Sequence, residues 1–118
     1  MDKIEIERML IEFAVAVIGY TDQLEKRREN VHLTDQIIRS STACALNYGE
    51  AQSAESRKDV IHKLGIVMKE LRETQINLRL MQKLNPGQQE EIVSQLISES
   101  DHLLAIFHKT IMTLKNKE

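Results

Sequence analysis

At 118 residues and a formal net charge of −2, the chain has room for one ordinary domain, residues 1–118, and lacks the charge of a general polyanion binder. Apolar residues at 42 % and charged residues at 29 % exclude disorder, and one Pro with four Gly leaves too few turn formers for a β-protein. Aromatics at 3 % leave the core to Leu, Ile, Val, Met and Ala, the usual filling of helix bundles.

Apolar residues recur at gaps of four and three in four successive segments, the spacing of one helix face. The first stripe is Ile6, Leu10, Phe13, Val17, Tyr20 and Leu24, on a helix predicted over 3–28. Glu29-Asn30-Val31-His32 then reads as a polar break, with Thr34 capping a second helix over 34–52. Its weaker stripe is Ile37, Ser41, Cys44, Tyr48 and Ala51. Ser56-Arg57-Lys58-Asp59 has the form of a capping box and opens a third helix over 56–84, with Val60, Leu64, Val67, Leu71, Thr74, Leu78 and Met81 on one face. Asn85-Pro86-Gly87-Gln88 places a proline where the first helical N–H is dispensable, so the fourth helix is predicted over 86–116. Its stripe is Val93, Leu96, Ser100, Leu103, Phe107, Thr110 and Leu114. Connections this short force neighbours antiparallel, which predicts an all-α, up-down-up-down four-helix bundle.

Chemistry inside such a bundle needs converging ligands or a nucleophile beside a base. Glu99-x-x-His102 and Asp59-x-x-His62 imitate the Glu-x-x-His element of di-iron bundles. At about 100° per residue, however, His102 and His62 point well away from their core stripes. Cys44 is the lone cysteine, in a run of small residues with no histidine at helical spacing, and reads as a buried reduced thiol. With no phosphate loop or catalytic triad either, no enzyme activity, metal, cofactor or small-molecule substrate is expected. The amino terminus lacks a basic n-region, and the apolar run Phe13 to Ile18 falls far short of the roughly 20 residues that cross a bilayer. A cytoplasmic protein without membrane contact is the expectation.

Several residues fall outside the core stripes. Ile4, Val15 and Ile18 on the first helix, and Ile61, Met68, Ile76 and Leu80 on the third, make those helices apolar nearly all round. They predict contact between copies in a homo-oligomer. On the second helix Arg39, Asn47 and Glu50 need partners from another helix or subunit, and Glu70 is placed to meet Arg39. Residues 57–83 hold seven Lys or Arg against three Asp or Glu. Lys58, Lys69, Arg72, Arg79 and Lys83 share the face away from the core, a candidate track for an RNA backbone, although no aromatics interleave to stack on bases.

The order of Leu33-Thr34-Asp35-Gln36-Ile37-Ile38-Arg39-Ser40-Ser41, Asn47 with Glu50, Ser56-Arg57-Lys58-Asp59-Val60-Ile61-His62-Lys63-Leu64 and Lys69-Glu70-Leu71-Arg72-Glu73-Thr74 resembles the four-helix bundle proteins encoded in 23S rRNA intervening sequences, often called S23 ribosomal proteins. The accessory variability proteins of diversity-generating retroelements look similar. The resemblance implies a bacterial cytoplasmic homopentamer, contact with RNA or a nucleoprotein, and no enzyme. Ala45 and Ala51 stand where relatives commonly have Pro and Gly, and Ala54-Glu55 where many have an Arg pair. The second difference removes positive charge near the start of the third helix.

Overall fold

Four helices run Lys3–Asp22 (α1), Arg28–Gln52 (α2), Arg57–Leu84 (α3) and Glu90–Lys115 (α4). The computed structural model describes residues 1–117. Each helix packs beside its neighbour in sequence and α1 closes on α4, giving the antiparallel up-down-up-down bundle predicted from the periodicity. Its extents are 50 × 21 × 20 Å, so every residue lies within one or two layers of the surface. No helix is long and apolar enough to cross a membrane.

Local chemistry explains the helix starts that the sequence predicts well. Asp2 Oδ1 accepts from the Glu5 N–H at 2.8 Å and Ser56 Oγ from the Asp59 N–H at 3.1 Å, so two orphan donors find side-chain acceptors. The core is the four stripes brought together: Leu10, Val17, Ile37, Leu71, Leu78 and Leu103 are fully excluded from water. Small side chains on α2 let α3 come close, and this is the most extensive of the helix pairings. There Ser40 and Thr74, both fully buried, share a hydrogen bond of 2.7 Å. Between α3 and α4, Gln75 Nε2 donates to Ser100 Oγ and to Asp101 Oδ1, each at 2.7 Å.

Two boundaries differ from the sequence expectation. The first interhelix break falls at 23–27, not 29–32, and Glu29 to Thr34 belong to the first turns of α2. Asn30 is not a breaker because its side chain is 2 % exposed and continues the core face. Its amide pairs reciprocally with that of Asn85, Nδ2 to Oδ1 at 2.8 Å one way and 2.9 Å the other. Arg27 Nη2 donates to Asn85 Oδ1 and to the Leu84 carbonyl, both at 2.8 Å, and Asn85 Nδ2 donates to the Met81 carbonyl at 2.8 Å. This knot ties the α1–α2 loop to the end of α3. The second difference follows from it. Asn85 is committed to closing α3, so residues 85–89 form a turn and α4 begins at Glu90, not at Pro86. Gly87, at φ +80°, and Gln89, at φ +52°, supply the left-handed steps of that turn, and the Gly87 N–H donates to Glu90 Oε1 at 2.8 Å.

Candidate interaction surface

Most polar groups of the bundle are either tied inward or displayed on the outside, and Tyr20 Oη, Arg27 Nε and Glu70 Oε1 are buried without a hydrogen-bond partner. Cys44 is free, fully buried and donates to the Ser40 carbonyl at 3.3 Å. Burial, with the nearby Glu70 charge, pushes its thiol up to about 12, so the nucleophilic thiolate is suppressed. Burial likewise lifts the Tyr20 phenol to about 12, with Glu90 adding to it. His32, His62, His102 and His108 are all exposed. Among the described residues no three His, Cys, Asp or Glu side chains gather closely enough to hold a metal ion.

The second-helix polar residues separate into different roles. Glu50 reaches α3, where Lys63 Nζ donates to its Oε1 at 2.6 Å. Asn47 turns back on its own helix and donates to the Ala43 carbonyl at 2.9 Å. Arg39 is exposed and, among the described residues, makes no ion pair, so its expected bridge to Glu70 is not formed. Glu70 is half-buried with one oxygen sealed from water and without a hydrogen-bond partner. Burial raises its pKa, and Glu73, through a hydrogen bond and its charge, raises it further against the pull of Lys69 and Arg39.

On α3 two of the seven cations are occupied: Lys63 pairs with Glu50, and the Arg57 side chain donates to the Lys117 carbonyl. The other five, Lys58, Lys69, Arg72, Arg79 and Lys83, are all exposed and form no ion pair with a described carboxylate. They fall within about 80° of arc on the outward face. Ile76 and Leu80, 59 % and 46 % exposed, lie among them, so this face alternates charge with bare aliphatic surface. Ile61 and Met68 are half-buried beside it, Met68 against the core. On α1 Ile4 and Val15 are 82 % and 64 % exposed, and Ile18 is half-buried. Ile11, 48 % exposed, belongs to the same strip and is missed by reading the stripe alone. Its signal was present, since Ile4, Ile11, Val15 and Ile18 keep heptad spacing opposite the core.

Fold and surface together define a class: a four-helix bundle whose distinctive chemistry lies on its outward helix faces. A family profile described as 23S rRNA-intervening sequence protein matches residues 2–109, and the chain belongs to that family. A similar solved structure is a protein of unknown function from the S23 ribosomal protein family of Bacteroides thetaiotaomicron VPI-5482. It is 28 % identical, with a TM-score of 0.80, over 90 % of this chain and 97 % of that one. No curated protein matches.

Proposed function

We propose that this chain is a non-enzymatic accessory protein that acts through contact, as a homo-oligomeric scaffold in the cytoplasm. The observation that carries the reading is the aliphatic surface on two outward faces, Ile4, Ile11 and Val15 on α1 and Ile76 and Leu80 on α3. Scattered exposed aliphatics are ordinary, but rows at helical spacing opposite a filled core favour burial against another surface. The resemblance noted from the sequence carries the expectation of a five-fold ring. Light scattering behind size exclusion at micromolar concentration is the test. A mass several times the 13.6 kDa of the chain is expected, and a monomer mass overturns the reading.

A second reading assigns the α3 face to RNA or a nucleoprotein, and the five unpaired cations favour it. Phosphate contact predicts affinity that falls steeply with the logarithm of salt and is lost in Lys69→Glu/Arg72→Glu/Arg79→Glu. The bare Ile76 and Leu80 among the cations, and the lack of stacking aromatics, weigh towards a protein surface. Absence of RNA binding at low salt removes the second reading and leaves the first intact.

A further inference from the structure

Four cations at the centre and far end of α3 stay unpaired because the acids around them are committed elsewhere. Glu70 and Glu73, on the same helix, are half-buried and turned towards each other. On the neighbouring helices Glu50 is held by Lys63 and Asp101 by Gln75. The four cations surround an aliphatic spot: Lys69 and Arg72 precede Ile76 and Leu80, and Arg79 and Lys83 lie beside and beyond them. Lys69, Arg72, Ile76, Arg79 and Lys83 recur at gaps of three and four, so they form one ridge about 21 Å long. Ile76 and Leu80, one turn apart near its middle, are 59 % and 46 % exposed. The ridge is thus an apolar centre inside a rim of a single sign. The α1 strip has no such rim, since Arg8 and Glu12 beside it pair with each other at 3.3 Å.

We propose that this ridge docks an acidic amphipathic helix of another protein. Two apolar side chains of that helix, one turn apart, sit over Ile76 and Leu80, with carboxylates before and after them. The proposal rests on the reading of the chain as a protein that acts by contact; it gives the α3 face to a partner and leaves the α1 face to contact between copies. An apolar centre with a polar rim is the anatomy of a protein interface, and a rim of one sign selects and steers a partner of the other. The three-and-four spacing is matched along its length by a second helix lying on the ridge. RNA satisfies the rim but leaves Ile76 and Leu80 against phosphates or in water, and α3 has no aromatic to stack on a base. A second copy meeting this ridge with its own sets like charges together.

The test is a panel of labelled probes against the native chain, read by fluorescence anisotropy at low and moderate salt. One is a synthetic helical peptide of about 20 residues with two leucines one turn apart and glutamates a turn before and after them. A second has serines for the leucines, and a third is an RNA oligomer of matching length. The leucine peptide should bind roughly tenfold more tightly than the serine peptide, the effect of burying two half-exposed aliphatics. Ile76→Ser/Leu80→Ser should erase that preference, and Arg72→Gln/Arg79→Gln should weaken both peptides and flatten their salt dependence. All four positions are exposed, so the variants should fold, which circular dichroism checks. Lys69→Gln/Lys83→Gln takes the place of the arginine pair if that variant loses its helix signal. Equal affinity for the two peptides, or a leucine preference that survives Ile76→Ser/Leu80→Ser, overturns the proposal. Tighter binding of the RNA gives the face to RNA, and a smaller mass for Ile76→Ser/Leu80→Ser by light scattering gives it to a second copy; either overturns the proposal too. A native monomer sinks the self-assembly reading alone, so the two fail separately.

Discussion

Replacing Asn85 by alanine removes four hydrogen bonds from a side chain that is 1 % exposed. Asn85 Oδ1 accepts from Arg27 and Asn30, and Asn85 Nδ2 donates to Asn30 and to the Met81 carbonyl. The Met81 carbonyl keeps a partner, because the Asn85 backbone N–H also donates to it, at 3.0 Å. Asn30 does not: its Oδ1 is left bare, and its amide keeps only the Glu25 carbonyl, at 3.0 Å. The Met81 carbonyl keeps a donor and half-exposed Arg27 can turn to water, so the two bonds to Asn30 are the net loss at about 1 kcal/mol each, the stranded Asn30 Oδ1 costs a further 1–3, and Asn85→Ala should destabilise by roughly 3–5 kcal/mol. At about 2 cal/mol/K of unfolding entropy per residue, that lowers the melting midpoint of a chain this long by roughly 12–20 °C. Thermal and urea melts at one fixed protein concentration measure it, since assembly also shifts the midpoint. Asn30→Leu/Asn85→Leu replaces both partners with apolar groups and should cost clearly less than the sum of its single variants. A loss below about 1 kcal/mol for Asn85→Ala, or strict additivity in the double variant, would refute the claim that Asn30 and Asn85 form a coupled, buried pair.

Glu70→Gln should change stability with a definite sign. The folded-state pKa of Glu70 lies above its ordinary value, through burial first and Glu73 second. The folded state therefore prefers the protonated acid: its contribution is present below the ordinary carboxylate range, about pH 4, and is lost as pH rises through the raised value. The neutral amide should melt higher than the native chain at pH 7, by under about 1 kcal/mol because the group is partly solvated, and the two should converge at low pH. A variant less stable at pH 7 contradicts this. Cys44 should resist a thiol reagent in the native state at mildly alkaline pH and react at the rate of a free thiol once urea unfolds the chain. Rapid native labelling would mean the α2–α3 seam opens locally.

Periodicity carried the four helices and their inward faces, because a spacing of three and four residues is a local property that folding has only to bring together. Ser56 as a helix start was equally legible, since its partner is three residues away. The start of α2 was not. Asn30 resembles loop chemistry until its partner is known, and that partner lies 55 residues along the chain. The same distance effect hid the end of α3 and displaced the start of α4, where Pro86 offered a plausible but unused first position. The sequence shows that Glu50 needs a partner outside its own helix, yet Lys63 as that partner emerges only when α2 and α3 lie side by side.

The outward faces mark the same division. Composition and spacing alone determined that α1 and α3 carry more aliphatic residues than one core can bury, and that α3 carries the positive charge. Only the tertiary structure decided that Ile76 and Leu80 stand bare among those cations, that Met68 leans on the core, and that the two strips sit at diagonal corners. A sequence records which residues share a helix face; which faces are used up depends on where the other three helices pack.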